Sequence, residues 1–260
     1  MPSGARTGST EATPVLVLPL HAHLAPAAWA AARGRPGLRL GYVQTAGAIH
    51  AGASSEVEGL RKSGLLAGHL TTGRLYGGNP ETMSLADALD AAAGRLGWEA
   101  IVCGPGPGTE RSATPYEHDT PTALESAHAA LDLGLPTLLS PRLSGSDPRP
   151  GHRGLSEGTS SVLARLRGSV RVPVPEIEFE GWPTGDQGPG EVDLPSVLDA
   201  LHRVCDDRHD VAVEAVDLKA YAASEVAARA LERTVEEDPL FFAAPLAAGA
   251  ALAKAAPGEG

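Results

Sequence analysis

A chain of 260 residues, 42% hydrophobic and 4% aromatic, is long enough to bury a good core and suits one α/β domain. Its 32 acidic against 21 basic residues leave a formal charge of −11, which makes duplex DNA or an anionic membrane an electrostatically poor partner. Two cysteines, Cys103 and Cys205, show no CxxC pairing, so neither a disulfide framework nor a zinc site is encoded and a reducing cytoplasm is the expected setting.

Residues 1–13 are small and polar, contain no apolar signal stretch, and are expected to be disordered. From 14 to about 176 short apolar runs (15–20, 40–43, 69–72, 100–103 and 136–139) alternate with helix-like segments at roughly 25–33, 54–63, 84–96, 121–133 and 156–167. That alternation predicts βαβ units and a mostly parallel, doubly wound, Rossmann-like sheet of about six or seven strands. Ser84 is a good N-cap, with Asp87 in the first turn and Leu85, Leu89 and Leu96 on one face. A sixth run, 170–175, carries Pro173 and Pro175; lost ladder donors predict an edge strand or one that stops early.

Residues 180–191 read as a linker-like surface loop. A helix follows, capped by Asp193, with Pro195 in its first turn and Leu194, Val197, Leu198, Leu201, Val204 and Cys205 at helical spacing. Residues 211–216 alternate as one more strand, and 221–236 and 240–254 are expected to be helical. The apolar run 239–253 is too short to span a bilayer and contains Pro245 and Gly249. Residues 14–254 thus form a single α/β domain with a helical C-terminal extension, and 255–260 a disordered tail.

Five of the apolar runs leave into loops crowded with Gly, Pro, His and charge, and open α/β sheets bind ligands outside the carboxyl ends of their strands. His21-Ala-His23 follows the first run, and strand alternation would point both imidazoles the same way. Such a pair can seed a divalent metal site if His50, Glu81, His118 or His152 joins it. The simpler assignments are a helix cap, or His21 alone as an acid/base or donor group, since its unperturbed pKa lies near neutrality. Gly104-Pro-Gly-Pro-Gly108 could cradle a phosphate, but Pro105 and Pro107 have no N–H to give, and a rigid turn is the favoured assignment. Neither a dinucleotide fingerprint nor a GxxxxGK[ST] loop is present. The long stretch 109–119, with Glu110, Arg111, Tyr116, Glu117 and His118, is a binding-loop candidate. Arg142, Arg149, His152 and Arg153 gather cations near one strand end, which fits an anionic ligand or, equally, a solvated basic loop. Cys103 fits packing better than nucleophilic attack, and no nucleophile elbow occurs.

Several of these loops resemble, as an ordered set, a bacterial family known only as domain-of-unknown-function family 3866. They are His21-Ala-His-Leu-Ala-Pro26, Tyr42-Val-Gln-Thr-Ala-Gly47, Gly77-Gly-Asn-Pro-Glu81, Gly104-Pro-Gly106, Asp147-Pro-Arg-Pro-Gly-His-Arg-Gly154 and the closing Glu237-Asp-Pro-Leu-Phe-Phe. The similarity covers roughly residues 14–254 and implies no activity. It does imply site positions at His21, Thr45, Gly77, Gly78, Glu81, Gly104, Gly106, His118, Asp147, His152, Arg153 and Ser156. Ala46 stands where the family usually has an acid, Thr72 and Arg74 replace a Cys and a His, and Glu157-Gly158 replaces a His pair. The resemblance also implies a preceding β-rich segment, which is expected to be lacking here.

The functional expectation is a protein that binds a small anionic metabolite at the strand carboxyl ends, with turnover left open. In it His21, His118 and Glu81 are the acid/base or donor groups. Thr45, Gly77, Gly78, Gly104, Gly106, Arg142, Asp147, His152, Arg153 and Ser156 hold the ligand. The alternatives are a non-catalytic regulatory or assembly subunit with a degenerate site and, third, a metal-dependent hydrolase using His21 and His23. The sequence identifies no cofactor, points away from nucleic acid and membrane, and leaves homo-oligomerisation open.

Overall fold

The structure, a computed structural model, describes residues 12–47, 54–73, 77–107, 119–177, 194–226 and 233–258. Its strands are β1 (Val15–Val17), β2 (Leu40–Gln44), β3 (Gly68–Thr72), β4 (Glu81–Thr82), β5 (Ala100–Gly104), β6 (Thr137–Leu139), β7 (Leu143–Ser144), β8 (Gly154–Leu155), β9 (Arg171–Glu176) and β10 (Asp210–Ala215). Eight of them form one sheet in the order β10-β9-β6-β1-β5-β2-β3-β4, and every pairing in it is parallel. A separate antiparallel ribbon joins β7 to β8. The helices are α1 (Leu24–Gly34), α2 (Ser55–Lys62), α3 (Leu85–Gly94), α4 (Asp119–Asp132), α5 (Glu157–Arg165), α6 (Leu194–Cys205), α7 (Leu218–Ala222) and α8 (Pro239–Ala255).

A parallel sheet is covered on both faces, so its central strands carry apolar residues on successive positions rather than alternate ones. β1 shows this directly: Val15 and Val17 pack with α3, α4 and α5, while Leu16 packs with α1 and α8. One helical layer holds α1, α2 and α8, the other α3, α4, α5 and α6. β1 leads into a helix of the first layer, whereas its neighbours β5 and β6 lead into α4 and α5 of the second. The crevice at the carboxyl end of β1 is therefore a topological switch point, the place where open α/β sheets receive ligands.

Three local expectations change. Segment 170–175 is not an edge strand, because β10 pairs with β9 over six positions and takes the edge itself. Pro173 and Pro175 are two apart, so they remove donors from one side of the strand only, and the β6 ladder reaches just one position of β9. The eighth strand, β4, has two residues and too little pattern to be legible. Residues 221–236 are not one helix: α7 ends at Ala222, Ser224 closes a turn onto Tyr221, and Val235–Glu237 form a turn, with 227–232 outside the described residues.

α8 is apolar on all sides and almost wholly buried, which places it inside the first helical layer rather than on the surface as an appendage. Its Gly249 lies against α1 so closely that a Cβ there would stand 2.1 Å from the Ala27 carbonyl oxygen. Among the described residues no helix is long and apolar enough to cross a membrane.

Candidate functional site

Two groups of polar side chains occupy the carboxyl edge. The first lies where β6 runs into β7 and meets the start of α8. Asp147 is completely buried, and its carboxylate accepts from Arg149 N, Nε and Nη2 at 3.1, 3.0 and 2.8 Å, from Arg233 Nη2 at 3.1 Å and from Arg142 Nη2 at 3.4 Å. Asp238, also fully buried, accepts from Ser144 Oγ and Arg233 Nη1, each at 2.5 Å, and from Gly145 N at 2.9 Å. Burial alone would raise the Asp147 carboxyl pKa. The Arg149 hydrogen bonds and charge, with Arg233 behind them, outweigh it and hold the group well below the usual carboxylate range. Among the described residues, three guanidiniums and two carboxylates meet in this knot.

The second group sits over β1, β2 and β3 on the α1–α2 face. His21 opens a 3-10 turn, His21–His23, directly after β1. Its Nε2 lies 3.1 Å from Glu56 Oε2, in the first turn of α2, where a carboxylate also suits the helix dipole. Beneath it Tyr42 stacks on His69 with ring centroids 5.1 Å apart. Tyr42 Oη donates to the Pro105 carbonyl at 2.8 Å, and His69 Nε2 bonds Gln44 Oε1 at 3.0 Å. Burial, then the Arg61 and His21 charges, lower the His69 pKa to about 4.

The turn separates the two imidazoles that strand alternation had put on one side. His23 points inward, its Nδ1 3.1 Å from Ser140 Oγ and its ring edge-on to Phe241 at 5.1 Å. Burial first, and then the Arg142 charge, lower its pKa to about 3, so this imidazole is neutral near pH 7. Among the described residues no three His, Cys, Asp or Glu side chains come together as a metal site.

The glycine loops have packing reasons. Gly106 N donates to the Ala46 carbonyl, and a Cβ on Gly106 would stand 2.1 Å from Gln44 Nε2, so β2 and β5 exit in contact. Thr45 N donates to the Gly104 carbonyl at 3.0 Å. Gly77 N donates to Glu81 Oε1 at 2.9 Å, and Gly78 is pressed on β3, where a Cβ would meet Thr71 N at 2.4 Å. Glu81 is exposed and staples that turn. β4 lies five strand spacings from β6, about 24 Å at about 4.8 Å each, so Glu81 and Arg142 do not share a site. His50, Arg74 and His118, with the stretch 109–118, lie outside the described residues.

Between the exits of β1 and β6 and the starts of α4 and α5 is a recess lined by Pro19, Thr120, Ser140, Arg142, His152 and Ser156. Its internal volume of about 20 Å³ holds a water-sized group. Ser156 caps α5, accepting from Thr159 N at 3.1 Å, and Thr159 Oγ1 accepts from Arg142 N at 2.9 Å. His152 faces this recess, whereas the adjacent Arg153 faces the opposite side of the loop.

Sequence reasoning named Arg142, Asp147, His152 and Ser156 but did not assign Arg233, Asp238 or Glu56 to the site. Asp238-Pro239 does carry a local signal, an acidic residue before proline at a helix start. Arg233 and Glu56 carry none, because their partners are distant in sequence.

A model of the family described as "Protein of unknown function (DUF3866)" matches residues 4–249, and the chain belongs to that family. No curated protein and no solved structure matches the chain.

Proposed function

We propose that this member of the family binds a small anionic metabolite at the switch point beside β1, with its charged group drawn to Arg142 and His152. The observation that carries the proposal is the recess itself. It combines a buried arginine, an imidazole and the hydroxyls of Thr120, Ser140 and Ser156 at the crevice where the two helical layers diverge. The starts of α4 and α5 at the same place add the positive ends of two helix dipoles. A planar guanidinium suits a carboxylate or phosphate.

Any turnover in this proposal rests on His21, whose Nε2 lies 3.1 Å from the Glu56 carboxylate. Oriented by Glu56, it would exchange a proton with the bound molecule, and Thr45 at the β2 exit, one strand beyond β5, offers a hydroxyl. The setting is the reducing cytoplasm, in keeping with two free buried thiols, Cys103 and Cys205, whose pKa values burial pushes up to about 12 and about 11.

Thermal melts across phosphate, sulfate and small carboxylates test the proposal, since a ligand of the folded state stabilises by mass action. One anion is expected to raise Tm in a concentration-dependent way, and His152→Ala to reduce that shift. A wild-type Tm indifferent to every anion, or an equal shift in the variant, would overturn it.

A further inference from the structure

The loop that carries His152 has a second side. Between it and α6 lies a cleft of about 710 Å³, within the range of small-molecule pockets, and no residue lines both this cleft and the recess. Its walls are apolar where they meet Leu155, Val197 and Ala200, and Pro148 forms part of the rim. Two arginines, Arg153 and Arg203, stand in the same lining.

Among the described residues, those arginines differ from the seven whose guanidinium pairs with a carboxylate. Arg35 pairs with Glu99 at 2.8 Å, Arg171 with Asp210 at 2.7 Å, and Arg142, Arg149 and Arg233 with Asp147. Among the described residues Arg203 makes no side-chain hydrogen bond or ion pair, and the one bond of Arg153 runs from Nε to the Asp147 carbonyl at 3.3 Å. Two guanidiniums without a carboxylate partner among the described residues therefore line one cleft. Apolar walls alone would suit a neutral ligand, and arginines alone would suit a bare inorganic anion. Their combination selects a molecule with both parts.

We propose that this cleft binds an amphipathic anion, its carboxylate, phosphate or sulfonate head on Arg153 and Arg203 and its apolar body against Leu155, Val197 and Ala200. The site is independent of the recess beside β1, so either can fail without the other.

The test titrates the full chain with 8-anilino-1-naphthalenesulfonate, a fluorophore of this chemistry, and then competes it with sodium octanoate, 1-naphthol and inorganic phosphate. One saturable site is expected, displaced by octanoate and not by naphthol or phosphate at equal concentration. Arg203→Gln and Arg153→Gln, both at exposed positions, should each weaken binding about tenfold, with Arg203→Gln expected to leave Tm unchanged. Ala200→Trp should fill the cleft and abolish it. Wild-type affinity in both arginine variants overturns the proposal, as does displacement by naphthol or by phosphate as strong as that by octanoate.

Discussion

The two ends of the carboxyl edge solve the same problem, polar groups without water, by different means. Around β6 and the start of α8 the groups are charged, and Asp147 and Asp238 are held by arginines at 142, 149 and 233. Over β2 and β3 the groups are neutral: Tyr42, Gln44 and His69 satisfy one another and the β5 exit. The neutral group is assembled from direct neighbours, since Tyr42 and His69 are cross-strand partners in register. The charged group needs partners from far along the chain, Arg233 lying 86 residues from Asp147. Buried charge costs several kcal/mol per ion unless it is paired, so the charged end is stable only as a complete set. The neutral end tolerates loss of a member more readily, because an unmade neutral hydrogen bond costs about 1–3 kcal/mol.

The largest expected effect follows from breaking the charged set. Asp147→Asn should lower stability to urea unfolding by about 3–5 kcal/mol, because it leaves buried guanidiniums without their shared acceptor. A loss below about 1 kcal/mol would erase the distinction between the two ends.

Acid should then separate the carboxylates from the buried imidazoles, His69 at the neutral end and His23 beside Ser140 at the charged one. Asp147 has a depressed pKa, so its contribution is complete above the unfolded carboxylate value, near pH 4, and is lost only as pH falls further. His69 and His23 are neutral in the fold, with pKa values near 4 and 3, but take up a proton in the unfolded chain below about pH 6.5. Their contributions are therefore complete above about pH 6.5 and decline as pH falls through 6 and 5, by about 1.4 kcal/mol per unit for each. His69→Gln should remove about 2 kcal/mol of the loss between pH 7 and pH 5 in urea melts, whereas Asp147→Asn should leave that slope unchanged. Identical slopes in wild type and His69→Gln would show that the neutral end does not contribute to the acid loss.

The smallest effect concerns the helix that borders the charged end. Ser156→Ala removes the acceptor for Thr159 N at the start of α5 and should cost about 1 kcal/mol, read as a shift in the denaturation midpoint without a change in slope. A change in slope would mean that the cap also governs compactness of the recess.

By itself the sequence determined the alternation of five strand runs and five helices from 14 to about 167 and the sheet's parallel character. Strands covered on both faces write unbroken apolar runs, and Ser84 marks its helix start by accepting from Asp87 N. Arg142 and His152 were named from the sequence because they gather with other cations after a strand end, whereas Asp147 and Ser156 were named only because the family resemblance implies them. Only the tertiary structure decided that β9 lies inside the sheet, that α8 belongs to a helical layer, and that the cations of the 142–153 loop mostly answer Asp147. It also decided that His152 and Arg153 serve opposite sides of their loop. The reason is physical: a local stretch records its own burial and backbone preference, which the solvent imposes on it directly. The identity of a neighbour 86 residues away, such as Arg233 beside Asp147, exists only once the chain has closed on itself.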